Sequence, residues 1–248
     1  MIRVETEGDV GTITLARPRT RNALTPEMLE RLRGGIEELG ARVGAVVLAG
    51  EGSAFCAGFD LSLCRDSADG SAMRDLLRGL DGVVHAMRAC EVPVVVAAHK
   101  AAIAGACALV AAADFAVADR GAKFGYPVVL LGISPAVSVP TLGPGVGRGA
   151  ARRLTLDPGL IGGEEAFRLG LVSDLVEEPA EVGPAAMALA GALARKPRGG
   201  IAATKSWLNQ IDGVAEAGDS GLECSLGLTG GDEERRLLQS FWESRAGG

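Results

Sequence analysis

Ser53-Ala54-Phe55-Cys56-Ala57-Gly58-Phe59-Asp60-Leu61 and Ala102-Ile103-Ala104-Gly105-Ala106-Cys107-Ala108 are the two stretches on which the reading of this chain turns. Both are built from small residues, which let a ligand lie directly on the backbone. The second falls where a strand gives way to a helix, so its free N–H groups and helix dipole suit an anion. One N–H from each loop would suffice to hold a developing oxyanion. Close packing of backbone on backbone is the competing reading of either stretch alone.

Working outward, Val92 to Ala98 carries the strongest strand signal, with three consecutive valines. It leads through His99 and Lys100 into the apolar run Ala101 to Ala113, too short for the ~20 residues of a spanning helix and read as buried core. Val10 to Leu15, Ala45 to Ala49 and Phe115 to Ala118 read as further short strands. Thr25-Pro26-Glu27 opens a helix with a hydroxyl N-cap, a first-position proline and an early acid, expected to end near Gly40. Leu76 to Ala89 reads as a helix that stops before Pro93. Helices then dominate at Ala150 to Leu156, Gly163 to Leu169, Ala185 to Ala194, Ile201 to Gln210 and Asp232 to Ser244. Strand and helix alternate first and helices follow, which is the order of an α/β fold with a helical C-terminal region.

The 248 residues suit one large domain, and 48% apolar against 23% charged residues excludes wholesale disorder. A net charge of −6 argues against a general nucleic-acid or anionic-membrane binder. An anionic ligand would need local positive groups. Met1 to Glu5 has no apolar signal character, which reads as cytoplasmic. The five cysteines (Cys56, Cys64, Cys90, Cys107, Cys224) are scattered, with no CxxC pair. Reduced thiols are expected, with neither a disulfide framework nor a metal site.

Ala57-Gly58-Phe59-Asp60-Leu61 after Phe55-Cys56, Pro93-Val94-Val95-Val96-Ala97-Ala98, and the Gly105 turn followed by Asp114 together resemble the crotonase (enoyl-CoA hydratase/isomerase) family. Arg17-Pro18 with Asn22-Ala23-Leu24, Phe124-Gly125-Tyr126-Pro127 continuing to Pro135, and Gly163 to Val172 add to the likeness, collinear over residues 3 to 210. The resemblance implies a crotonase-like spiral of ββα units over residues 1–195 and a helical trimerisation or lid region over 196–248. It implies an acyl-CoA substrate, with coenzyme A carried by the substrate and no cofactor bound permanently. It further implies a homotrimer or dimer of trimers, and an oxyanion hole made by the N–H groups of Phe59 and Gly105. Arg21, Ala23 and Leu24 would flank the coenzyme A, and Ala57, Asp60 and Leu61 would line its path. Arg21 is a phosphate partner under this reading.

The family's two catalytic glutamates would fall on Ala108 and Val128, and a further carboxylate position reads Ser134-Pro135-Ala136. None of these can exchange a proton, and such groups are worth ~10²–10⁴-fold each. Substitutes are sought in Asp81 and His85, four apart on one helix face, and in Tyr126 beside the vacated position. A solvated face for the first two and packing for Tyr126 are the alternatives. His99 reads as a strand cap, Asp114 as a partner for backbone groups, and Asp66 and Asp69 as solvated. Gly145-Val146-Gly147-Arg148-Gly149-Ala150 fits a dinucleotide pattern, but Pro140 and Pro144 spoil the strand it needs, leaving a turn before a helix. Asp232 to Arg236 reads as a solvated charged face.

Overall fold

A computed structural model of the chain describes residues 1–65, 67 and 69–246; Asp66 lies outside them. Its first elements are β1 (Ile2–Glu7), β2 (Val10–Leu15), α1 (Pro26–Arg42), β3 (Ala45–Gly50), α2 (Ser71–Ala89), β4 (Val94–Ala98) and β5 (Ala101–Ile103). They are followed by α3 (Gly105–Ala112), β6 (Phe115–Asp119), β7 (Lys123–Gly125), α4 (Val139–Val146), α5 (Arg148–Leu156) and β8 (Ile161–Gly162). The chain continues through α6 (Gly163–Leu169), β9 (Asp174–Val176), α7 (Pro179–Ala194), α8 (Arg198–Asp212), α9 (Val214–Leu226) and α10 (Asp232–Ala246).

The larger sheet has the order β1-β2-β3-β4-β6-β9, parallel except for the β1–β2 hairpin. The Val94–Ala98 strand is buried throughout because both faces of the sheet are covered, as expected for a parallel sheet. Leu29, Leu32, Ile36 and Leu80 pack one face, and Val182, Ala186, Ala190 and Leu193 of α7 pack the other. The smaller sheet has the order β5-β7-β8, extended by a parallel bridge between Cys56 and Ala102. The chain visits the large sheet and then the small one, as in β4 then β5 and β6 then β7, which is the spiral of ββα units.

Local chemistry explains the helix ends. Thr25 Oγ1 accepts from Met28 N at 3.2 Å, as its sequence position implies, and α1 runs past Gly40 to Arg42. The α2 helix begins earlier than its apolar pattern suggests, because Asp69 accepts from Ser71 N at 3.0 Å and from the Ser71 hydroxyl at 2.7 Å. These bonds, with that of the Ser67 hydroxyl, hold the Asp69 carboxyl down at about 2. Asp69 is therefore a capping group and not only a solvated one. Gly147 (φ 80) turns the chain between α4 and α5, so no strand precedes the glycine pattern there.

The C-terminal helices fold back over the spiral. α9 has no apolar pattern to announce it, since it carries glycine at two contact points. A Cβ on Gly218 would lie 2.9 Å from the His85 ring, and one on Gly221 would lie 2.7 Å from Ala136 O. α10 continues over the residues beyond β7: Glu234 backbone sits against Gly132, and the Arg65 guanidinium lies 4.4 Å over the Trp242 ring. The charged run at 232–236 is thus not wholly solvated, because Glu234 is buried at this contact. Among the described residues, no helix is long and apolar enough to cross a membrane.

Candidate active site

The bridge between Cys56 and Ala102 lays the two small-residue stretches side by side. Cys56 N donates to Ala101 O at 3.1 Å and Ile103 N to Cys56 O at 3.2 Å. The next residues then converge: a Cβ on Gly105 would lie 3.0 Å from Phe59 Cε1. Glycine is required at 58, where φ is +91° and a Cβ would lie 2.8 Å from Ile103 O. Ala104 holds φ 56 and ψ −115 at the N-cap of α3, a conformation costing about 1–3 kcal/mol for a non-glycine residue. Bonds from Ala104 N to Gly125 O (2.8 Å) and from Ala108 N to Ala104 O (3.1 Å) hold it there.

The result is a pair of backbone donors without acceptors. Among the described residues, the N–H groups of Phe59 and Gly105 donate to no protein atom. Gly105 opens α3, whose dipole favours negative charge at that end. Two such donors from facing loops can hold an oxygen that gains charge during a reaction.

The 21–24 segment runs beside this turn. Leu24 N donates to Gly58 O at 2.8 Å, Asp60 N to Leu24 O at 2.9 Å, and Ala57 N to Arg21 O at 2.9 Å. Arg21, Ala23, Leu24, Ala57, Asp60 and Leu61 are thereby gathered along one loop pair. Leu24 is itself fully buried, and Arg21 is exposed in a left-handed conformation (φ 51). Asp60 faces Arg17 at 3.0 Å and accepts from the Ser62 hydroxyl at 2.5 Å. Burial raises its carboxyl, but Ser62 and Arg17 outweigh that and leave it lowered. Arg17 as an ion-pair partner was not singled out in the sequence, since nothing there relates residues 17 and 60.

Asn22 is the anchor of this arrangement. Its buried Nδ2 donates to Glu51 O (2.8 Å), Ala54 O (3.0 Å) and Phe55 O (3.0 Å), and its Oδ1 accepts from Arg17 N (2.9 Å). Asn22→Ala is expected to cost about 2–3 kcal/mol, because buried carbonyls lose their donor. A thermal melt close to that of the wild type would contradict the anchoring role.

Ala108, on the first turn of α3, and Val128, in a 3-10 turn at Pro127–Leu131, occupy the two expected proton-transfer positions with apolar side chains. Tyr126 is 1% exposed; its hydroxyl sits near Cys107 and Ser138 without a hydrogen bond, and burial pushes its ionisation well above the usual range. Burial likewise lifts Cys56 and Cys107 to about 12, so neither is a ready thiolate. Asp81 and His85 do share a face, with His85 Nδ1 at 3.3 Å from Asp81 Oδ2. That face is covered by α9 rather than solvated at Asp81, and it is Leu80, not Asp81, that reaches the Gly105 turn. His99 ties Gly52 O to the end of β4 (Nε2 to O, 3.0 Å). Asp114 accepts from Val94 N at 2.8 Å and also from buried Lys205 at 2.6 Å, a partner 91 residues away that the sequence did not suggest. Leu222 and Leu226 of α9 pack on the same core as Phe59, Leu61, Val128 and Leu131.

The spiral of ββα units, with acceptor-free N–H groups at Phe59 and at the first residue of α3, defines a class of α/β proteins. Residues 5–230 match the family model described as Enoyl-CoA hydratase/isomerase. The chain is 38% identical to a probable enoyl-CoA hydratase of Rhizobium meliloti (strain 1021), covering 70% of this chain and 67% of that protein. It is 31% identical to the crotonyl-CoA hydratase of Syntrophomonas wolfei, covering 84% and 81%. The crystal structure of an enoyl-CoA hydratase/isomerase from Xanthobacter autotrophicus Py2 superposes with a TM-score of 0.88 at 29% identity, over 96% of this chain and 91% of that one. This chain belongs to the enoyl-CoA hydratase/isomerase family, the crotonase family.

Proposed function

We propose that the chain is an enzyme that binds an acyl-CoA thioester and stabilises its enolate, with the N–H groups of Phe59 and Gly105 holding the thioester oxygen. The observation that carries this reading is the pair of acceptor-free N–H groups, on two residues that touch where the Phe59 ring packs against Gly105. Arg21 is the cation available to a coenzyme A phosphate, with Ala23, Leu24, Ala57, Asp60 and Leu61 along the path. The family relationship supports the substrate class.

Ala108 and Val128 favour a reaction that draws on the oxyanion turn more than on acid–base groups. Decarboxylation of a malonyl-type thioester meets that condition. The bond from Cα to the carboxylate breaks, its electron pair enters the enolate, CO₂ leaves, and a solvent proton adds to Cα. Hydration would instead need Asp81, His85 or Tyr126 to move protons. Loss of the enoyl-thioester absorbance of crotonyl-CoA, followed by turnover of malonyl-type thioesters, separates the two. Hydration that falls at least about tenfold in Asp81→Asn, His85→Ala or Tyr126→Phe supports those residues as acid or base. Binding of thioesters without turnover of either kind would leave a catalytically inactive acyl-CoA-binding member.

Self-association is part of the proposal. Trp207 and Ile211 of α8 are 62% and 64% exposed, beside a cleft of about 860 Å³ between α4 and α8. Apolar side chains so exposed suit an interface between copies, as a trimer or a dimer of trimers. Light scattering that gives a monomer mass at micromolar concentration would contradict it.

A further inference from the structure

One guanidinium is tied by hydrogen bonds to the Phe59 donor. Arg17 Nη1 donates to Ala23 O at 2.7 Å, and Nη2 donates to Asp60 Oδ2 at 3.0 Å. The peptide that carries Ala23 O also carries the Leu24 N–H, which donates to Gly58 O at 2.8 Å. The peptide that carries Gly58 O in turn carries the Phe59 N–H, one of the two donors left without an acceptor among the described residues. Both peptides are trans, so in each the C=O and the N–H point in opposite directions across one rigid plane. The donors therefore run in a single direction from Arg17, through two peptide planes, to the Phe59 N–H. Asp60 N, on the other side of Phe59, donates to Leu24 O at 2.9 Å and fixes the same pair of segments. Leu24 and Gly58 are buried, and the Arg17 and Asp60 side chains are only 21% and 16% exposed.

We propose that Arg17 is a positioning residue for the reaction, aiming and polarising the Phe59 N–H through the Ala23–Leu24 and Gly58–Phe59 peptides. The proposal rests on the oxyanion reading of Phe59 and Gly105. A cation on Ala23 O draws electron density from that amide and makes the Leu24 N–H a stronger donor. The bond to Gly58 O passes the same effect to the Phe59 N–H. Chains of this kind strengthen each bond by about 10–30%, and burial leaves the effect less screened than in water. Asp60 fixes the second arm of the guanidinium fork. Arg17 in return neutralises a carboxylate one residue from the place where negative charge develops. Gly105 is polarised differently: the carbonyl of its own peptide, Ala104 O, accepts from Ala108 N at 3.1 Å, within the first turn of α3.

The test uses acetyl-CoA isotope-labelled at its thioester carbonyl, whose infrared stretch falls when donors polarise the bound oxygen. Binding to the wild type should lower that stretch. Arg17→Met should give back part of the lowering. It should also reduce turnover of a thioester substrate by about tenfold, on kcat more than on KM, against about 10²–10³-fold for a donor removed outright. Arg17→Lys keeps the charge but not the two-armed fork, and should fall between. Adding Asp60→Asn to Arg17→Met removes the stranded carboxylate. A lowering still short of the wild type's then belongs to the relay through the peptides, and full recovery overturns that relay. Should Arg17→Met not fold, Arg17→Lys carries the test. A carbonyl stretch in the folded variants equal to the wild type's overturns the proposal whatever their melts, because a merely structural arginine moves only the melt. No lowering in the wild type would instead remove the oxyanion reading on which the proposal rests.

Discussion

Gly105→Pro is expected to lower turnover of a thioester substrate by about 10²–10³-fold, the loss seen when one oxyanion donor is removed. Proline deletes the N–H that α3 leaves free at its first position, where the helix itself does not need it. The residue before it is the difficulty, since Ala104 holds φ 56 and ψ −115 whereas residues preceding proline favour extended backbone. Far-ultraviolet circular dichroism and a melt must therefore accompany the rate. Gly105→Ala is the companion variant: it keeps the N–H but sets a Cβ 3.0 Å from the Phe59 ring, which must shift. Its loss should be smaller and should again fall on kcat more than on KM, because both donors act on charge that develops in the transition state. A folded Gly105→Pro protein with wild-type turnover would remove the oxyanion turn from the mechanism.

Lys205→Met should destabilise the fold by about 3–5 kcal/mol, the usual result of stranding one member of a buried ion pair. Lys205 Nζ donates to Asp114 Oδ2 (2.6 Å), Met87 O (2.9 Å) and Val92 O (3.2 Å), so one ammonium joins α8, the end of α2 and the approach to β4. Methionine retains the stem but satisfies none of the three acceptors, and Asp114 is left with Val94 N alone. Urea unfolding should show a lower midpoint at unchanged slope. Adding Asp114→Asn should recover part of the loss, since the stranded charge is then gone. A shift below about 1 kcal/mol would mean that water reaches Asp114 once the lysine is removed.

Asn22 and Lys205 mark the boundary between what is legible in a sequence and what is not. Asn22 stands in a quoted motif, yet nothing local says that it holds three carbonyls of the 51–55 loop. Lys205 looks like any lysine on an amphipathic helix, and its acceptors come from segments more than 90 residues away. Asp81 and His85 were legible as a pair on one face, but which face α9 covers is a matter of packing alone. The α9 helix is illegible in the sequence for a related reason: Gly218 and Gly221, poor helix formers, are there because His85 and Ala136 approach too closely for a Cβ.

Periodicity, caps and turn residues are local properties, so the sequence by itself determined the covered strands, the capped start of α1, the α/β class and the two small-residue stretches. It also determined that Ala108 and Val128 cannot move protons. Only the tertiary structure decided that those stretches run side by side, that the N–H groups of Phe59 and Gly105 are left without acceptors, and that α9 packs on α2 at His85. Those are relations between segments distant in the chain, and they depend on burial, register and the exclusion of water from particular polar atoms.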